Sequence, residues 1–432
     1  MRIGRSNGTT SKTQVVVLTA DIDFGEQARA TFGTSDQIGL KVVPGTLAAG
    51  GDQLDLDGAT VVVIDLDAAD PDGMGALERL MARIGAWPPV VAVIPARNEA
   101  DLLSDTLASL LRQDYPGAFH VILVDDQSED GTAAAARAVG QLPQSAHPLT
   151  VVRGDAVPPG WTGKLWAVRQ GIERASHAPN PPDYLLLTDA DIAYAPDAVR
   201  RIVRHALARD LALMSLMVEL HCESAAERAL VPAFVFFFEM LYPFSWVNDP
   251  GRRLAAAAGG CMLVRRAAFE DAGGVDAVRG ELIDDCAVAR VLKPVGPIWL
   301  GLTHAVRSRR RYPRFDDIRR MVVRSAYHQL HYSPWLLAGT IAGMALVYLA
   351  PPALVAFATG PAQALGAAAF LLMAVAYQPI LRVFRRSPAW GLVLPAIAAA
   401  YVAFTLESAY QHARGRGGSW KGRVQAGLSE PR

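Results

Sequence analysis

The sequence predicts an α/β domain with a mainly parallel sheet, preceded by a small α/β segment and followed by transmembrane helices. Three observations carry this reading. Short β-branched runs alternate with helical patterns from Trp87 to about Arg311, polar residues punctuate the end of each run, and apolar residues crowd the chain after Pro334. The 432 residues are 51% hydrophobic and 19% charged, too many for one small domain and too apolar for a wholly soluble protein. A disordered or fibrous chain is thereby excluded. Forty-two basic residues balance 42 acidic ones, so no global positive field argues for a nucleic-acid partner. Cys222, Cys261 and Cys286 form no CxxC pair and stand far apart, which argues for neither a disulfide framework nor a zinc knuckle and makes a reducing compartment the default. Residues 1–12 are polar and contain no apolar h-region, so no signal peptide is expected.

Residues 1–86 read as a separate small unit. Val15–Leu18, Leu40–Val43 and Val61–Leu66 have strand character, with Asp21 and Asp23 after the first and Asp65 and Asp67 at the end of the third. The segment resembles the first half of a receiver domain, in which an aspartate after the third strand is followed by proline and glycine, here Asp67, Pro71, Gly73 and Gly75. That resemblance implies a phosphorylatable Asp67. The later Thr/Ser and Lys of a receiver have no counterpart, because the strand starting near Val90 already belongs to the next domain, and a non-signalling appendage is the alternative.

Residues 87–330 form the α/β domain. Val90–Ile94, Phe119–Val124, Thr150–Val152 and Tyr184–Thr188 read as strands, and Asp101–Arg112, Thr132–Val139 and Lys164–Ala175 as the helices between them. Parallel sheets bind ligands at the carboxyl ends of their strands. Here those ends carry Pro95-Ala96-Arg97-Asn98-Glu99, Asp125-Asp126-Gln127-Ser128 and Asp189-Ala190-Asp191, and all three agree on one site. The apolar stretch Ala229–Val247 holds four phenylalanines but also Pro232, Glu239 and Pro243. It suits either an interfacial helix beside a lipid-facing site or a plain core helix.

Residues 331–412 form the membrane region. Trp335–Phe357, Gln363–Leu381 and Trp390–Ala409 each approach the ~20 apolar residues that a bilayer crossing needs. Pro351 and Pro352 interrupt the first, which leaves a kinked span or a re-entrant pair open. Arg307, Arg309, Arg310, Arg311, Arg314, Arg319, Arg320 and Arg324 precede it and predict a cytoplasmic α/β domain, either as a positive-inside flank or as cations for an anionic lipid or substrate. Arg382, Arg385 and Arg386 place the next turn on the same side. The basic tail, residues 413–432, would then lie outside after three spans, so the topology stays open.

Two carboxylates one residue apart at the end of a buried strand, as in Asp189-Ala190-Asp191, can ligate a divalent cation that bridges a diphosphate. A solvated aspartate pair is the alternative. Asp125 and Asp126 can hydrogen-bond a nucleobase or ribose, or cap the helix from Thr132 through an Asx-turn. Lys164 opens a helix and can meet phosphate there, or stand in solvent.

Pro95-Ala96-Arg97-Asn98-Glu99-Ala100, Val124-Asp125-Asp126-Gln127-Ser128-Glu129-Asp130-Gly131-Thr132, Gly163-Lys164 with Ala167 and Gly171, and Asp189-Ala190-Asp191 resemble, in order and spacing, the motifs of family 2 glycosyltransferases. The resemblance covers roughly residues 88–330 and implies the Rossmann-like GT-A fold. It implies that Ala96, Asn98, Glu99, Asp125, Asp126, Lys164 and Asp189 surround a nucleotide-sugar donor. Asp191 and Asp189 would hold Mg²⁺ or Mn²⁺ on its diphosphate, with Asp191 the more direct ligand. The family's general base is matched by Asp284-Asp285, with Asp285 preferred; a helix N-cap is the alternative for that pair. Its Gln-x-x-Arg-Trp motif is kept only as Met321-Val322-Val323-Arg324-Ser325, so Arg324 would contact the departing diphosphate, and transfer of a single sugar is favoured over polymerisation.

Trp161-Thr162-Gly163-Lys164-Leu165-Trp166-Ala167, Gly259-Gly260-Cys261-Met262-Leu263-Val264, Arg324-Ser325-Ala326-Tyr327 and Trp420-Lys421-Gly422-Arg423 look like the bacterial hopanoid-biosynthesis-associated glycosyltransferases. That narrower resemblance implies a multi-pass protein of the bacterial inner membrane and a lipid acceptor such as a hopanoid, another terpenoid or a lipid headgroup. Two other readings use the same residues: a membrane-tethered nucleotide-sugar-binding module without turnover, and a regulatory protein sensing phosphorylation.

Overall fold

Three parallel strands, β1 (Thr13–Thr19), β2 (Ile38–Pro44) and β3 (Val61–Ile64), open the chain in the order β2-β1-β3. The computed structural model describes residues 12–51, 54–56, 59–67, 69–83, 87–416, 419–420 and 423–424. Asp21 caps α1 (Ile22–Phe32) by accepting from the N–H groups of Asp23 and Phe24. α2 (Leu47–Gly50) and α3 (Pro71–Arg83) complete this unit. β3 stops at Ile64, and Asp65 accepts a 2.8 Å hydrogen bond from the Thr19 hydroxyl, while Asp67 stands exposed. The unit is packed onto the next domain rather than strung from it. Val16, Leu18, Leu77 and Leu80 share one apolar cluster with Ile94, Val199 and Ile202, and Glu78 pairs with Arg204 at 2.8 Å.

The elements of the main domain follow as β4 (Val90–Ala96), α4 (Ala100–Leu111), β5 (Phe119–Asp125), α5 (Thr132–Gly140), β6 (Leu149–Arg153), α6 (Gly163–Ser176), β7 (Tyr184–Leu187), β8 (Ile192–Tyr194), α7 (Ala198–Ala208), β9 (Leu213–Glu219), α8 (Ala225–Leu241), α9 (Phe244–Asn248), β10 (Met262–Arg265), α10 (Arg266–Asp271), α11 (Asp284–Leu292), β11 (Ile298–Ser308), α12 (Phe315–Val323) and α13 (Ala326–Gln329). Their strands form one sheet in the order β6-β5-β4-β7-β10-β9-β11-β8. β4 is buried along its whole length, the mark of a central parallel strand with both faces covered. It pairs in parallel with β5 and β7, placing Ala96 opposite Asp125 and Val93 opposite Leu187. The ends of these strands therefore lie along one edge. β10 runs antiparallel to β7 and β9, and β8 antiparallel to β11.

Three helices follow that are long and apolar enough to cross a membrane: Pro334–Phe357, Pro361–Val383 and Pro388–Ala413. The first is one continuous helix and not a re-entrant pair. A π-helical turn at Ala345–Leu349 precedes Pro351 and Pro352, which lack the N–H a regular turn would need. The short ladder between Ser419–Trp420 and Arg423–Val424 follows, while Lys421 and Gly422 of the basic tail motif lie outside the described residues.

α8, the core of the Phe-rich stretch, is a core helix over its first turns, with Leu230, Val231, Ala233, Val235 and Phe236 buried. An interfacial character is confined to its far end and α9, where Met240, Leu241 and Trp246 are exposed. The Ser224 capping box with Glu227 fixes its start.

Candidate active site

The loops after β4 and β5 are stitched to each other. Asn98 takes φ +50°, a left-handed conformation that Asn tolerates better than most residues. Its amide oxygen accepts from the Glu129 N–H at 2.9 Å, and its own N–H donates to the Ser128 hydroxyl at 3.0 Å. The N–H of Ala100 donates to Asp130, that of Glu99 to the Thr132 hydroxyl, and that of Ser128 to Asp125. Arg97 donates to the Asp126 carbonyl at 2.7 Å.

Two cations organise the carboxylates at the strand ends. Thr162 caps α6, so Lys164 projects from that helix's first turn and meets Asp189 at 3.0 Å and Asp284 at 2.9 Å. Burial alone would push the Lys164 ammonium down, yet Asp189 and Asp284 outweigh it and hold it above the ordinary lysine range. The lysine is thus a half-buried bridge and not solvated surface. Arg310, just past β11, reaches Glu99 at 2.6 Å and Asp191 at 2.9 Å, and the Ser308 hydroxyl donates to the same Asp191 oxygen at 3.1 Å. The loop carrying Arg310 is anchored by buried Glu227, which accepts from the N–H of Tyr312 at 2.6 Å and from His221.

Asp285 occupies a different setting. Its carboxylate accepts backbone N–H groups from Gly259 at 2.8 Å and Cys286 at 2.7 Å. Burial, reinforced by the adjacent Asp284 charge, pushes its carboxyl up to about 6 despite Lys164 and those two donors.

A polar cavity of about 580 Å³ is lined by Arg97, Glu99, Lys164, Asp189, Asp191, Arg310, Tyr312 and Arg324, among others. A second cavity, of about 520 Å³, is lined by Phe234, Phe237, Phe238 and Leu241 of α8, by Ile341 and Met344 of the first membrane-length helix, and by Tyr401 and Val402 of the third. Both are lined by Lys164, Asp189, Leu282, Asp284 and Arg324, and Asp285 lines the apolar one alone of the two. The sequence-predicted residues therefore divide. Glu99, Lys164, Asp189, Asp191, Asp284 and Arg324 line the polar cavity. Ala96, Asn98, Asp125 and Asp126 do not; their groups hold the two loops together, with the Asp126 N–H donating to the Ala96 carbonyl.

Arg310, Tyr312 and Glu227 were not singled out individually from sequence. The arginine run does not act wholly as a flank: Arg307 lies within β11 and pairs with Glu219, Arg309 pairs with Asp105, and Arg310 turns into the site. Arg319, lower down, pairs with Glu407 of the third membrane-length helix.

Asp189 and Asp191 are two hard oxygen donors at the end of β7. A Mg²⁺-type ion is commonly held by one or two carboxylates together with substrate phosphates, so this donor set fits such an ion. Among the described residues no group of three or more His, Cys, Asp and Glu is arranged to hold a metal without substrate.

Residues 91–273 match the model of glycosyl transferase family 2. An N-acetylglucosaminyltransferase of Rhizobium leguminosarum bv. viciae is 28% identical over 191 residues, covering 42% of this chain and 40% of that protein. The beta-monoglucosyldiacylglycerol synthase of Synechocystis sp. is 33% identical over 118 residues, covering 27% of this chain and 22% of that protein. The chain thus spans well under half the length of these relatives. Among solved structures, a mannosyltransferase from Pyrobaculum calidifontis in complex with GDP-Man and Mn²⁺ aligns over 83% of this chain and 99% of that one, with a TM-score of 0.44 and 18% identity.

Proposed function

We propose that the protein is a membrane-bound, inverting glycosyltransferase that moves one sugar from a nucleotide-sugar to a hydroxyl of a lipid acceptor, a hopanoid or other terpenoid. The observation that carries this reading is the meeting of two unlike cavities at Lys164, Asp189, Asp284 and Arg324, with Asp285 on the apolar side. One is polar and ends at the D-x-D carboxylates; the other is walled by phenylalanines and membrane-length helices. The family domain supports sugar transfer, and the relative named for a glucosyldiacylglycerol supports a lipid acceptor. The arginine-rich approach to the first helix favours a catalytic domain on the cytoplasmic side of a bacterial inner membrane.

In this reading the donor lies in the polar cavity. Mg²⁺ or Mn²⁺, held by Asp191 with Asp189, would neutralise the diphosphate there. Asp285 faces the apolar cavity, where it takes the proton of the acceptor hydroxyl as that oxygen attacks the anomeric carbon from the side opposite the leaving group. Gly259 and Cys286 orient its carboxylate, and Asp284 is kept from competing by its pairing with Lys164. Arg324, which lines both cavities, stands where the leaving diphosphate gains charge.

The test is nucleotide release from a panel of UDP-, GDP- and dTDP-sugars by the membrane-embedded protein, with Mn²⁺ or EDTA, and with or without a hopanoid-containing lipid extract. Release that needs one donor, metal and the extract supports the reading. Tight donor binding with no release under any condition favours a binding module instead.

A further inference from the structure

Arg310 occupies one carboxylate oxygen of Asp191, the residue that would hold a metal. Its Nε lies 2.9 Å from Asp191 Oδ2 and its Nη2 lies 2.6 Å from Glu99 Oε1, so one guanidinium spans both carboxylates. Ser308 adds a hydroxyl donor to the same Asp191 oxygen and also accepts the Arg310 N–H at 3.2 Å. The Arg309 N–H, donated to the Asp191 carbonyl at 2.8 Å, fixes β11 beside the D-x-D turn. Glu99 and Asp191 are nearly closed to solvent, whereas the Arg310 side chain keeps about a third of its exposure and lines the polar cavity. The anchored parts of this arrangement are the carboxylates and the backbone, and the movable part is the arginine side chain.

We propose that Arg310 is an internal counter-ion of the metal site: it occupies Asp191 while no donor is bound, and divalent cation and nucleotide diphosphate enter together by exchanging for it. The inference rests on the metal-assisted donor reading above. Two carboxylates as buried as Glu99 and Asp191 need a cation at all times. A divalent ion arriving alone would meet that cation at close range and be repelled. A diphosphate changes the balance, because its oxygens offer a guanidinium paired acceptors as good as those it leaves. Metal and arginine then cease to compete, and donor and metal each strengthen the binding of the other. The arrangement keeps the idle site neutral and makes metal capture conditional on donor.

The test uses Mn²⁺ alone, titrated into the full-length chain in detergent without nucleotide, with free Mn²⁺ read by electron paramagnetic resonance. Arg310→Gln is expected to bind Mn²⁺ more tightly than the wild type, by roughly 5- to 20-fold. Arg310→Lys, which keeps the charge but cannot span both carboxylates, should gain less. The gain should vanish in Arg310→Gln/Asp191→Asn. A tighter Mn²⁺ site is not produced by loosening the fold, so circular dichroism and melting temperature serve only to show the variants folded. A folded Arg310→Gln that binds Mn²⁺ no more tightly than the wild type overturns the proposal, as does a gain that survives loss of Asp191. If the wild type neither binds nor cleaves any nucleotide-sugar with Mn²⁺, the donor reading itself fails; if it does so and Arg310→Gln is unchanged, only the counter-ion role fails.

Discussion

The backbone N–H of Gly259 donates to the carboxylate of Asp285 at 2.8 Å, tying the start of α11 to the turn before β10. A Cβ at position 259 would stand 3.3 Å from the same carboxylate oxygen, so glycine lets the backbone come close enough to aim it. Asp285 is thus an oriented, half-buried acid beside an apolar cavity, with its titration moved toward neutrality.

The pH dependence of transfer follows from that position. A base must be unprotonated, and burial and Asp284 raise the Asp285 carboxyl to about 6. The rate should be level above that value and fall about tenfold per pH unit below it. Transfer rates from pH 4.5 to 8 at saturating donor check this; a profile flat down to pH 4.5 would remove Asp285 from the role of base.

Asp285→Asn and Asp191→Ala should fail differently. The first should bind nucleotide-sugar normally while transfer drops by about 10²–10⁴-fold, the usual range for losing a positioned base. The second should lose Mn²⁺-dependent donor binding itself. Calorimetry with donor and Mn²⁺, run beside transfer assays, separates the two, and a loss of donor binding in Asp285→Asn would shift that residue to donor recognition.

Lys164 and Asp284 should be energetically coupled. Lys164→Met leaves Asp189 and Asp284 without their shared cation and is expected to cost about 1–2 kcal/mol, below the range for a fully buried pair because these side chains are partly exposed. Lys164→Met/Asp284→Asn should cost less than the sum of the single changes. Denaturation midpoints of the three variants measure this, and strict additivity would mean the 2.9 Å contact carries no coupling.

Glu227 should hold the Arg310 loop from a distance. Burial alone would raise its carboxyl, but the N–H groups of Tyr312, Ser224 and Glu223, with His221, bring it down to about 2. Its contribution to stability is therefore present above the ordinary carboxylate range and lost as pH falls toward 2. Glu227→Ala strands those donors and should cost at least about 3 kcal/mol. It should also weaken donor binding through the loosened Tyr312 loop. Unchanged melting with normal donor affinity would refute this.

The parallel half of the sheet was legible in the sequence because its strands are β-branched runs ending in polar clusters. β4, β5, β6 and β7 emerge within two residues of their expected bounds. β9 and β10 were not, since Leu213–Val218 and Met262–Val264 each hold a single β-branched residue and, with both faces buried, show no alternation to replace that signal. The D-x-D and Asp284-Asp285 pairs could be read as local motifs. What joins them could not: Lys164 meets Asp284, 120 positions later, and Arg310 meets Glu99, 211 positions earlier, through sheet order alone. Arg310 was hidden further by its neighbours, because a run of arginines before an apolar helix looks like a membrane flank whichever of them turns inward. The prolines of the first membrane-length helix suggested a break that a π-helical turn absorbs instead.

The most direct test of lipid glycosyl transfer is mass spectrometry of the lipid after incubation with donor, Mn²⁺ and the membrane-embedded protein. The account predicts a lipid gaining the mass of one sugar, and no gain with Asp285→Asn. Nucleotide release with every lipid unmodified, or a ladder of added sugars, would contradict it.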